Sequence, residues 1–160
     1  MALEDELQLP NTIANPRHGA IVGMVLTGAM LSKEGDRLFR PFGLTESQFN
    51  ILMLLKHQSE GGRINQTQLG QMLLVNRSNI TGLVDRMEQA GWVERRAEEG
   101  DRRVKMVQLT ANGRRLLEKA EKAYYTRIEY LLSDVSPAEL KQLSRILERV
   151  RARIGPPTEA

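Results

Sequence analysis

Two short stretches hold the side chains that could do chemistry in this 160-residue chain. The first, EEGDRRVKMVQLT from Glu98 to Thr110, sets Arg102 and Arg103 beside Glu98, Glu99 and Asp101 at a glycine turn, then runs straight into alternating apolar and polar residues. A disordered charged loop would not need that alternation. The second, from Arg77 to Arg86, places Ile80, Leu83 and Val84, with Met87 beyond, at i, i+3, i+4 and i+7. That spacing gathers the apolar side chains on one helical face and turns Ser78, Asn79, Thr81, Gly82 and Arg86 toward the other. The chemistry on offer is ionic and hydrogen-bonding. Ser, Asp and His form no nucleophilic arrangement, and no glycine-rich phosphate loop follows a strand, so catalysis is not expected. His18 and His57 are the only histidines and there is no cysteine, so core or surface roles outweigh metal ligation and no cofactor is expected.

Composition sets the frame around these stretches. With 41% hydrophobic and 27% charged residues the chain reads as one globular domain. A net charge of +3 with a pI of about 9.4 permits nucleic-acid binding without requiring it. The absence of cysteine excludes disulfides and thiol-based redox switching and suits a reducing cytoplasm, the expected location. The most apolar run, GAIVGMVLTGAML from Gly19 to Leu31, is shorter than the roughly 20 residues of a spanning helix. Its acidic leader does not suit a secretory signal, so it is expected to be a buried helix, with no membrane association.

Turn and cap signals order the rest. Residues 1–14 are expected to be a loose arm. Asn15 with Pro16 opens a long helix to about Phe39, which Pro41 and Gly43 end. Thr45 with Gln48 forms a capping-box pattern for a second helix, with Leu44 able to staple onto Phe49. Arg63-Ile64 leaves room for a very short strand. Asn65 caps a short helix, and Asn76 caps the next, which Gly91 closes; the tight LLVNR turn between them is a helix-turn-helix signature. The period then changes to two in WVERRA and VKMVQL, a hairpin linked by EEGDRR. Thr110 caps a helix to Leu131, and Ser136-Pro137-Ala138-Glu139 is a capping box opening a last helix that Gly155-Pro156-Pro157 stops.

The residues FGLTESQFNILMLL, QLGQMLLVNRSNITGLVDRMEQAGWVERR and GDRRVKMVQLTANG together resemble the MarR family of bacterial transcription regulators, over about Phe42 to Gly113. The most specific element is Asp101 to Arg103 followed by a strand and Leu109-Thr110. The resemblance implies a mainly α fold with a small β-hairpin wing, in which a winged helix-turn-helix core is flanked by long N- and C-terminal dimerisation helices. The corresponding division is 1–14 arm, 15–42 N-terminal dimerisation helix, 43–113 DNA-binding region, 114–155 C-terminal dimerisation helices and 156–160 tail. It further implies that the helix after Asn76 lies in the major groove, where Arg77, Ser78, Asn79, Thr81, Gly82 and Arg86 face the duplex. Arg77 and Ser78 can reach phosphate or a guanine edge near the helix start. A polar solvated face is the plainer reading of the same residues. Asp85 is expected to pair with an arginine rather than touch DNA.

At the wing, the resemblance implies Arg103 in the minor groove, Arg102 on flanking phosphate, and Asp101 holding the tip in shape. An exposed surface ion pair is the alternative. From Arg77 to Lys105 seven basic residues (77, 86, 95, 96, 102, 103, 105) face six acidic ones (85, 88, 94, 98, 99, 101), so only segregation, with Glu94, Glu98 and Glu99 turned away, could make a binding surface. Gly82 stands where the family often has a larger residue, which suggests either close backbone approach to DNA or a weakened reader. The implied partners are double-stranded DNA with a near-palindromic site, a second copy of the chain, and a small aromatic or anionic effector near Met24, Met30, Met53 and Tyr124, each of which ordinary packing also explains. Gly19, Gly23 and Thr27 would permit close helix approach across a dimer, and an intrachain contact explains them equally well. The resulting expectation is a homodimeric, sequence-specific DNA-binding regulator, a repressor released by a small ligand. The competing one is a winged-helix interaction module that has lost DNA reading.

Overall fold

The structure is a computed structural model that describes residue 5 and residues 14–58, 62–73, 77–98 and 101–155; at 77, 78, 98 and 101–103 the backbone alone is described. The expected arm and tail, the Asn76 cap and most of the LLVNR turn lie outside these residues. Two units divide the chain, Met1–Glu46 and Ser47–Ala160.

In the first unit, helix α1 spans Pro16–Phe39. Asn15 Oδ1 accepts from the backbone N–H groups of Arg17 at 3.0 Å and His18 at 3.4 Å, and proline fills the first turn, where its missing N–H costs nothing. A 3-10 turn, Arg40–Phe42, follows, and Gly43 leaves it in the left-handed conformation at φ 71°. Asp36 Oδ1 accepts from Glu46 N at 3.1 Å, and Ser32 Oγ donates to Glu46 Oε2 at 2.7 Å.

The expectation of a buried first helix is corrected. Within the single chain Ile21, Val25, Met30 and Leu31 are 51–68% exposed, and Phe39 is the buried residue of α1. A helix cannot cover its own apolar face, and among the described residues of this unit no second long helix accompanies it.

The second unit carries the site. Helix α2, Glu46–His57, buries Phe49, Ile51, Leu52 and Leu55. Strand β1 is Arg63–Asn65, and Asn65 also caps helix α3, Gln66–Leu73: its Oδ1 accepts from Thr67 N at 2.8 Å, while Gln68 Oε1 accepts from Asn65 N at 3.3 Å. Helix α4 is Arg77–Gln89. Strands β2, Val93–Glu98, and β3, Asp101–Leu109, complete an antiparallel sheet of order β1-β3-β2. The strands reach further toward the tip than WVERRA and VKMVQL suggested.

Helix α5, Ala111–Leu131, starts at Thr110, whose Oγ accepts from Gly113 N at 3.0 Å and donates to the Gly91 carbonyl at 2.6 Å. Helix α6, Pro137–Ile154, begins with the complete Ser136–Glu139 capping box. It buries none of its residues, and Leu143, Ile146 and Ile154 stand exposed. Among the described residues no helix is long and apolar enough to cross a membrane.

Candidate nucleic-acid interface

Helix α4 separates its faces as its spacing dictates. Ile80, Val84 and Met87 are buried and Leu83 half-buried, whereas Asn79, Thr81 and Arg86 are exposed. One side therefore anchors the helix and the other presents polar groups outward. Gly82 lies among the outward residues with room to spare. A Cβ placed there would meet only the Arg86 guanidinium, at 3.6 Å, so packing does not demand glycine. The side chains of Arg77 and Ser78 lie outside the described residues, although both positions belong to the first turn of α4.

Asp85 pairs with arginine, and the partner is Arg95 on β2. Arg95 Nη2 lies 2.6 Å from Asp85 Oδ1, and Nη1 lies 2.7 Å from Glu88 Oε2. Its Nε donates to Gln66 Oε1 at 2.9 Å, and Gln66 Nε2 donates to Thr81 Oγ1 at 2.9 Å. Arg95, Gln66 and Glu88 were not among the site residues expected from sequence. One signal was present: period-two alternation from Val93 puts Arg95, a charge, on the inward face of a half-buried strand.

The hairpin presents its tip through an irregular register. Pairing runs from Val93↔Leu109 to Ala97↔Lys105 and then steps to Glu98↔Asp101, so Arg102, Arg103 and Val104 fall in the irregularity. Such bulges bend a strand and redirect its side chains. The side chains of Arg102, Arg103 and Asp101 lie outside the described residues.

Glu94 lies on the sheet face opposite Arg95, across from Gln108, and so turns away from α4. Gln108 Nε2 donates to its Oε1 at 2.5 Å and Arg96 Nη2 sits 3.0 Å away; the amide first, then the guanidinium, hold the Glu94 carboxyl below the ordinary glutamate range. Glu98's side chain and Glu99 lie outside the described residues.

The remaining candidates fall in both units. Tyr124 packs on Phe49 with ring centroids 5.0 Å apart, and Met53 is half-buried in α2. Met24 is half-buried in α1, while Met30 is 57% exposed. His18 is exposed, and His57 Nε2 sits 2.7 Å from Glu121 Oε1, which joins α2 to α5. Lys56 bonds the other oxygen of the same carboxylate. Among the described residues no cluster of three or more metal-ligating side chains occurs.

A helix-turn-helix with a three-stranded wing is the architecture of a winged DNA-binding domain, and comparison with known proteins gives it a family. The MarR family model matches residues 44–105. The regulator PecS of Dickeya dadantii is 31% identical over 125 residues, covering 78% of this chain and 75% of PecS. The transcriptional repressor MprA of Escherichia coli K12 is 30% identical over 124 residues, covering 78% and 70%.

Among solved structures, the MarR family regulator AbsC of Streptomyces coelicolor superposes with TM-score 0.81 at 24% identity, covering 90% of this chain and 97% of AbsC. A mutant MarR from E. coli complexed with operator DNA gives 0.68 at 25% identity, covering 82% and 95%. CouR from Rhodococcus jostii bound to p-coumaroyl-CoA gives 0.72 at 26% identity, covering 81% and 89%. This chain belongs to the MarR family and is a transcription regulator rather than an enzyme.

Proposed function

We propose that the chain acts as a homodimeric, sequence-specific DNA-binding repressor in the bacterial cytoplasm, released from its operator by a small aromatic or anionic ligand. The carrying observation is the outward face of α4, where Asn79, Thr81 and Arg86 stand exposed over a row of buried Ile80, Val84 and Met87. In this reading residues 43–113 bind the duplex, with Arg77, Ser78, Asn79, Thr81, Gly82 and Arg86 in the major groove. Arg103 enters the minor groove, Arg102 meets flanking phosphate and Asp101 orients the tip. Charge supports it. The ion pairs of Arg95 with Asp85 and Glu88, and of Arg96 with Glu94, engage three of the six acidic groups with two arginines, a set that keeps one net negative charge. What remains of that segment is Arg77, Arg86, Arg102, Arg103 and Lys105 against Glu98, Glu99 and Asp101.

Residues 15–42 and 114–155 form the dimer contact in this proposal. Its support is the apolar surface that Ile21 and Val25 of α1, and separately Leu143 and Ile146 of α6, expose in the single chain. A two-fold dimer would meet a near-palindrome with half-sites about 34 to 36 Å apart. An effector contacting Met24, Met30, Met53 and Tyr124 would alter affinity by favouring a different spacing of the reading heads. MprA's name as a repressor and the ligand in CouR make these readings natural.

Fluorescence anisotropy with random duplex at low salt tests the proposal. Binding in about the 10⁻⁴ to 10⁻⁶ M range or tighter, weakening steeply with salt, is expected. No binding in that range would favour the interaction module instead.

A further inference from the structure

We propose that Arg95 is a positioning residue for DNA recognition, a three-way clasp that fixes the rotation of α4 against both α3 and the wing. The inference rests on the DNA-reading function proposed above and extends it to a residue that need not touch the duplex. Arg95 occupies an inward position of β2, opposite Val107, and its side chain is only 17% exposed. All three guanidinium nitrogens have partners. Nε donates to Gln66 of α3, Nη1 to Glu88 of α4, and Nη2 to Asp85 and, at 3.4 Å, to the Thr81 carbonyl of α4. The backbone closes the set, since Arg95 N donates to Glu88 Oε1 at 2.8 Å.

The chemistry of the clasp is directional. Arg95 Nε has a proton to give and no lone pair to offer, so the Gln66 amide must turn its oxygen to Arg95 and its nitrogen to Thr81. Thr81, Asp85 and Glu88 follow at i, i+4 and i+7, one stripe along α4 beside its outward face. Holding that stripe sets which residues of α4 face the groove, and because the clasp stands on β2 it also sets the distance from α4 to the wing. Reading a base edge needs fixed geometry, whereas a phosphate accepts a cation from many directions. Loss of the clasp should therefore erode discrimination while sparing general affinity. Lysine cannot replace it: one ammonium is a point charge and cannot span Gln66, Asp85 and Glu88 in a planar fork.

The test compares wild type, Arg95→Lys and Gln66→Met by anisotropy on a duplex selected for wild-type binding and on random duplex, with hydrogen exchange of α4 amides in free protein. Gln66→Met leaves both ion pairs in place, which covers the case in which Arg95→Lys folds poorly. Both variants are expected to lose about tenfold or more of the ratio between selected and random duplex, the discrimination one base contact supplies. Random-duplex affinity and its salt slope should be unchanged, and α4 should exchange faster at an unchanged midpoint of thermal unfolding. A retained ratio with unaltered α4 exchange would overturn the proposal. A salt slope lowered by about one would do so too, because it makes Arg95 a phosphate contact. Absence of any duplex binding by wild type would instead sink the DNA-reading function, and the exchange measurement would still decide whether Arg95 holds α4.

Discussion

A Cβ placed on Gly113 would lie 1.9 Å from the carbonyl oxygen of Trp92. The same carbonyl accepts from Thr110 N at 3.1 Å, so the start of α5 is pressed against the base of the wing with no room for a side chain. Gly113→Ala is expected to destabilise the protein by about 3 kcal/mol or more, since backbone must move to admit the methyl group. Thermal unfolding beside an exposed control, Arg114→Ala, checks this, and equal midpoints would contradict the close approach.

Gly82→Ala should have the opposite sign. Its Cβ meets only a flexible guanidinium at ordinary contact distance, and alanine favours the helix by up to about 1 kcal/mol. A higher unfolding midpoint is expected, and an unchanged or lower one would contradict it. Affinity for selected duplex then separates the two readings of this glycine: weaker binding marks close backbone approach to DNA, and equal or tighter binding marks a reader that glycine had weakened.

The contrast between these glycines shows what sequence carried. The Asn15, Thr110 and Ser136 caps are contacts within three residues of each other, and the sequence spelled them out. The period change at Gly91 marked the wing for the same local reason. The Arg95 to Gln66 bond joins residues 29 apart, and nothing near either residue names the other. The apolar composition of GAIVGMVLTGAML points to burial, but composition does not say whether the covering surface belongs to the same chain.

Protonation of Glu121 should loosen the joint between α2 and α5. The Lys56 hydrogen bond, and after it that of His57, hold the Glu121 carboxyl below the ordinary glutamate range. A lowered folded-state value means stabilisation present above the unfolded value, about 4.3, and lost as pH falls through the folded one. Glu121→Gln should therefore be less stable than wild type at neutral pH, with the gap closing in acid. A gap independent of pH from 7 to 3 would contradict the assignment.

The apolar face of α1 gives the assembly test. Val25→Glu, at a position 68% exposed in the single chain, should shift sedimentation from dimer toward monomer while leaving monomer helicity intact. A wild-type chain that sediments as a monomer at micromolar concentration would contradict the dimer.

Wing and helix should fail in different ways. Arg103→Ala is expected to weaken binding to most sequences and lower the salt slope by about one, whereas Asn79→Ala should alter sequence preference. Identical affinity, slope and preference in both variants would remove the proposed division of labour.

Selection of bound fragments from a random duplex pool bears most directly on the central claim, because it reports binding, symmetry and spacing together. Enrichment of a near-palindrome whose half-sites lie about one helical turn apart, roughly 10 to 10.5 base pairs centre to centre, is expected. A pool that stays random after repeated rounds, or that converges on a single asymmetric half-site, would contradict it.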